Sequence, residues 1–148
     1  MSRINGGSVL KSGLLAGLVI NVLEAILNGA ILAKPWKEAM DAQGITQGAG
    51  MMVIYVVGAF VIGLLSVWMY AAVRPRLGPG PRTAITVGLF VWALAILWPS
   101  IGFLALGMFP ASLIVTGTIW ELFEFPLAIT IGAWVYKEGE EAAGPASP

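Results

Sequence analysis

Four long apolar runs, separated by short polar or Pro/Gly-rich breaks, organise this chain. Residues 13–33, 50–73, 83–108 and 111–136 each supply the roughly 20 consecutive, mainly apolar residues that a helix needs to cross about 30 Å of hydrocarbon. The pattern predicts an all-α membrane fold, a bundle of four transmembrane helices forming a single domain over residues 1–136. A cleaved secretory leader is the competing reading of the first run. That run is too long for a leader's apolar core, carries Asn21, Glu24 and Asn28, and lacks a small-x-small cleavage site, so it is assigned as a retained span.

The breaks sharpen the topology. Lys34-Pro35-Trp36-Lys37 closes the first span, and Pro35 suits the start of a short interfacial helix over residues 35–43, with Gly44 as its stop. Trp36 and Met40 would share the face turned to the bilayer; an ordinary polar loop is the alternative. Arg74-Pro75-Arg76 reads as a basic, helix-breaking exit from the second span, followed by a Pro/Gly-rich linker to Arg82. Pro99 interrupts the third span, and Phe109-Pro110 turns so tightly that the third and fourth spans must be antiparallel neighbours. Two even-numbered spans close on similar aromatic triplets, Trp68-Met69-Tyr70 and Trp134-Val135-Tyr136, which suits aromatic anchoring at an interface or a faint duplication of helix pairs. Residues 137–148 are acidic and then rich in Ala, Gly, Pro and Ser, a composition that predicts a disordered tail.

Basic residues set the expected orientation. Arg3, Lys11, Arg74, Arg76, Arg82 and Lys137 fall on one side of the membrane and only Lys34 and Lys37 on the other, so both termini are expected in the cytoplasm of a bacterial inner membrane. Composition adds exclusions. Among 148 residues there is no Cys and no His, which removes disulfides, thiolate centres, haem or chlorophyll held through His, and Ser-His or Cys-His catalysis. Eight acids balance eight bases without a basic run, so nucleic acid is not an expected partner.

One asymmetry carries the chemistry. Every Lys and Arg lies at or beyond a span boundary, yet Glu24, Glu121 and Glu124 lie within spans. A carboxylate at membrane depth costs several kcal/mol unless it is protonated or compensated, so it must face protein or water. Glu24 is 13 residues from Lys11, and Glu124 is 13 residues from Lys137. Both therefore lie about 20 Å deep at 1.5 Å per residue. With Glu121 one turn further out, all three converge if the first and fourth spans touch. Gly13, Gly17, Asn21, Glu24 and Asn28 recur at helical spacing, as do Gly117, Glu121, Glu124 and Ala128. Glycines Gly13, Gly17 and Gly117 are expected to pack helices closely. Asn21 and Asn28 join the three glutamates as candidate ligands. Trp120 adds an N–H donor, and Pro126 leaves the Leu122 carbonyl without its usual donor.

Close carboxyls cannot all ionise, so the cluster would hold a proton or, through its all-oxygen ligands, a hard cation. Such a protein would work alone or as a homo-oligomer through its glycine stripes; the alternative is an accessory or structural subunit of a larger membrane complex, with the acids as interhelical glue. A metal-dependent intramembrane enzyme or lipid-binding protein ranks below both, because no nucleophile or phosphate loop is placed; no metal or cofactor is specified. The segments Asn21-Val-Leu-Glu-Ala-Ile-Leu-Asn28 with Lys34-Pro-Trp-Lys-Glu-Ala-Met40, and Trp120-Glu-Leu-Phe-Glu124 with Gly132-Ala-Trp-Val-Tyr-Lys-Glu138, resemble small bacterial four-span inner-membrane proteins of the domain-of-unknown-function type. That resemblance implies a topology and no activity.

Overall fold

The computed structural model describes residues 4–138; most of the predicted tail and Arg3 lie outside them. The described residues form helices α1 (Gly6–Ile26), α2 (Ala33–Asp41), α3 (Ala49–Leu77), α4 (Pro81–Trp92), α5 (Trp98–Leu106) and α6 (Ala111–Val135), with no strand among them. Two π turns, Leu27–Ile31 and Ala93–Leu97, extend α1 and join α4 to α5. The result is four helical rods long and apolar enough to cross a membrane: Gly6–Ile31, Ala49–Leu77, Pro81–Leu106 and Ala111–Val135.

The helices outrun the apolar stretches because their ends are set by caps and turns. Asn5 accepts a hydrogen bond from the Ser8 N–H at 3.0 Å and so starts α1 at Gly6, seven residues before the apolar run. The exit at Arg74-Pro75-Arg76 does not break α3, contrary to the sequence reading. Proline there already has a helical φ and forfeits one donor, and the stop falls at Gly78, whose φ of +87° disfavours any residue with a side chain. Pro35 and Pro99 act one turn upstream. Each lacks the N–H that the carbonyl four residues before it would use, and the ladder there shifts to i→i+5 bonding: Leu32 N–H to the Leu27 carbonyl at 2.7 Å, and Trp98 N–H to the Ala93 carbonyl. The short helix expected after the first span exists as α2, but it begins at Ala33, two residues before Pro35, which still falls among the N–H groups a helix leaves free.

Packing is unequal along the bundle. Helix α1 lies against α3 and α6, and α6 also lies against α4. The buried residues of α1 (Val9 to Ile20), α3 (Ala59 to Ala71), α4 (Thr83 to Gly88) and most of α6 (Glu124 to Ala133) all belong to the half next to the termini. In the other half, no residue from 49–58 or 89–112 is buried. Small residues explain the difference. Lipid offers no hydrophobic drive to bring helices together, so they close only where backbones can approach. A Cβ at Gly63 would stand 2.6 Å from the Gly13 carbonyl oxygen and 2.8 Å from the Gly17 Cα, and one at Gly88 would stand 2.6 Å from the Pro126 Cα. Residues 51–57 of α3, by contrast, are Met, Val, Ile and Tyr.

Both ends of the bundle are tied. At the termini end, the Lys137 N–H donates to Ser8 Oγ at 2.7 Å, Tyr70 and Tyr136 meet edge to face at 6.1 Å, and the Arg74 guanidinium lies 5.7 Å from the Tyr136 ring centre and 3.3 Å from Glu138. Lys137 and Glu138, read from sequence as the start of the tail, therefore dock on the bundle. At the α2 end, Trp36 meets Phe109 of the α5–α6 turn edge to face at 5.4 Å.

Candidate functional site

The first and fourth spans touch, and the three glutamates meet at their crossing. Glu24 of α1 lies within electrostatic reach of both Glu121 and Glu124 of α6, and Glu121 lies within that of Glu124. Glu124 is the innermost, only 2% exposed; Glu24 and Glu121 are half-buried. Among the described residues, none of the ion pairs involves these glutamates; those pairs are Lys34–Glu38, Lys37–Asp41 and Arg74–Glu138, all away from this layer.

Neutral donors arrive from two sides. Trp120, one turn before Glu124 on α6, donates its indole N–H to Glu124 Oε2 at 2.8 Å. The other Glu124 oxygen, Oε1, is buried without a protein donor. Asn28, one turn after Glu24 and within the first π turn, donates its amide N–H to Glu24 Oε2 at 2.5 Å and accepts the Trp36 indole N–H on its own Oδ1 at 2.7 Å. An indole can only donate, so Trp36 holds the amide oxygen toward itself and turns the NH₂ toward Glu24. A chain of bonds thus runs from α2 to the carboxyl cluster.

Ionised carboxylates are acceptors only, so a hydrogen bond between any two of these carboxyls would require a shared proton. Two charges about 4 Å apart repel by about 4 kcal/mol even at an effective dielectric of 20, whereas a hydrogen bond to a charged group returns about 1.5–3 kcal/mol. Among the described residues, no group of three acidic side chains is arranged to hold a metal ion.

The remaining sequence candidates divide. Gly13 and Gly17 pack against Leu64 and Phe60 of α3 as expected. Asn21 does not join the cluster: its amide donates to the Gly17 carbonyl at 2.9 Å and to the Val56 carbonyl at 3.2 Å, tying α1 to α3. Three residues before Glu24 is about 60° short of a full helical turn, enough to swing Asn21 toward α3. Gly117 is also corrected, because a Cβ there would meet nothing within 4 Å, and α6 reaches its neighbour through Thr118 instead. The Thr118 carbonyl accepts the Trp92 indole N–H at 3.0 Å, and its hydroxyl lies 2.8 Å from that of Ser100. Pro126 lies within an unbroken α6 and serves as the surface on which Gly88 packs.

Trp36 was missed as a member of the site. The stripe from Gly13 through Asn28, carried two more turns, lands on it; that spacing was the available signal. Comparison with protein-family models, curated proteins and solved structures finds no match to this chain. Chemistry and geometry therefore carry the functional argument.

Proposed function

We propose that this four-span membrane protein binds a proton reversibly in the Glu24–Glu121–Glu124 cluster and hands it on across the bilayer. The observation that carries this reading is Glu124: a carboxyl 2% exposed, with one oxygen lacking any protein donor, set against a second carboxyl that also contacts a third. Only a proton or a cation makes such a contact attractive, and a proton needs no ligand beyond the carboxyls themselves. The termini end carries Lys11, Arg74, Arg76, Arg82 and Lys137, so the positive-inside rule assigns it to the cytoplasm.

The test is proton movement in proteoliposomes, read with an entrapped pH-sensitive dye after an external pH step. Glu24→Gln and Glu124→Gln keep side-chain shape and hydrogen bonding but cannot carry the proton. Both are expected to abolish the protein-dependent dye signal while eluting as folded, helical particles. Undiminished proton movement in both variants would overturn the proposal.

A further inference from the structure

The carboxyl cluster sits at a boundary between two kinds of packing, and that position bears on where its proton comes from. Along α6, residues 117, 121, 124 and 128 share one face. Burial along that face falls from Ala128 at 0% exposed and Glu124 at 2% exposed to half-buried Glu121 and the open position at Gly117, and Leu113, one turn further, is buried again. The facing stripe of α1 has the same polarity. Gly13, Ala16 and Gly17 are buried, whereas Glu24 and Asn28 are only half-buried.

Toward the termini the way is closed by backbone. A Cβ at Gly132 would stand 2.8 Å from the Ser12 carbonyl oxygen and 2.9 Å from the Ala16 Cβ, and Val67, Ala128 and Ile129 are fully buried at the same crossing. Toward α2 the packing is looser, and a largely apolar cleft with a few polar side chains lies beyond it. Thr116, beside Gly117, and Ser112 line a cleft of about 760 Å³ between α2 and the start of α6. Thr116 precedes Glu121 by five residues, about 7.5 Å along the helix.

We propose that the Glu24–Glu121–Glu124 cluster has one-sided access: it exchanges its proton with the side of the membrane where α2 lies, through the loosely packed half of the bundle, while the glycine-mediated crossings of the other half seal it from the termini side. This rests on the reading of the cluster as a proton site, and it adds the direction of access. Glu124 Oε1 is buried and without a donor, whereas Glu121, one turn nearer the cleft along α6, is half-buried. In a protein that passes protons on, the sealed half must then loosen during turnover.

The experiment uses a membrane-impermeant, water-soluble carbodiimide, which forms an adduct with a protonated carboxyl, applied to vesicles of each orientation. Sidedness is assigned by protease access to an epitope placed after Pro148, and adducts are located by mass spectrometry. The expected result is modification at Glu121 or Glu24 from the α2 side, at least tenfold above that from the termini side. Gly117→Trp, which fills the open position next to the cleft, is expected to cut the α2-side adduct at least fivefold. Equal modification from both sides, predominance from the termini side, or none from either would overturn the proposal in wild-type protein alone. The two readings fail separately: adducts confined to the α2 side without any dye signal would sink proton passage, and a Glu-dependent dye signal with termini-side adducts would sink the assigned access.

Discussion

The close crossing of α1 and α3 depends on Gly63, and Gly63→Ala tests it. A Cβ at position 63 would lie 2.6 Å from the Gly13 carbonyl oxygen and 2.8 Å from the Gly17 Cα, both backbone atoms of α1 that no rotamer change can move. Restoring an ordinary contact requires α1 and α3 to part by about 1 Å, and gaps of that size forfeit a quarter to a half of each dispersion contact along the crossing. Overpacking of this kind costs about 1–3 kcal/mol, offset by about 0.5–1 kcal/mol because alanine is the better helix former. Gly58→Ala, on the same helix with nothing within 4 Å of its Cβ, should gain the propensity term alone. The two chemically identical substitutions should therefore differ by about 2 kcal/mol, roughly 30-fold in the unfolding equilibrium. Reversible unfolding in bicelles, followed by helicity, reads the difference. Stabilities agreeing within about 0.5 kcal/mol would refute the close-approach argument.

Two further outcomes follow from the polar contacts. Trp120→Phe removes the indole donor to Glu124 and should cost about 1–3 kcal/mol in the same unfolding assay, whereas Trp98→Phe, at a side chain 72% exposed, should leave stability unchanged; equal effects would argue against the Glu124 contact. On α2, the hydrogen bond and charge of Asp41 push the Lys37 ammonium above its ordinary value of 10.5. The sign follows: the pair's support of α2 is complete below the unfolded lysine value and is lost only as pH rises through the raised one. Asp41→Asn should bring the Lys37 titration, followed by NMR of its side chain, back down toward 10.5; an unchanged titration would mean that the pair does not form in solution.

The sequence alone determined the four spans and the layer that holds the acids, because both depend on local quantities. A run of apolar residues matches the bilayer thickness wherever it occurs, and counting residues from a basic boundary converts directly into depth. The same arithmetic brought Glu24, Glu121 and Glu124 to one level, and α1 does touch α6 there. Helix ends were less legible, since the Asn5 cap and the Gly78 turn lie outside the apolar runs that mark the spans. Other features were decided only in three dimensions. Asn21 and Asn28 look alike on one stripe, yet the first bonds to Val56 of α3 and the second joins Trp36 to Glu24, because the crossing with α3 and the π turn before Pro35 aim them differently. Gly17 and Gly117 likewise read as equivalent, but only Gly17 faces a backbone at close range. A helical stripe specifies a direction around an axis; which neighbour fills that direction, and how near it comes, is a property of the whole bundle.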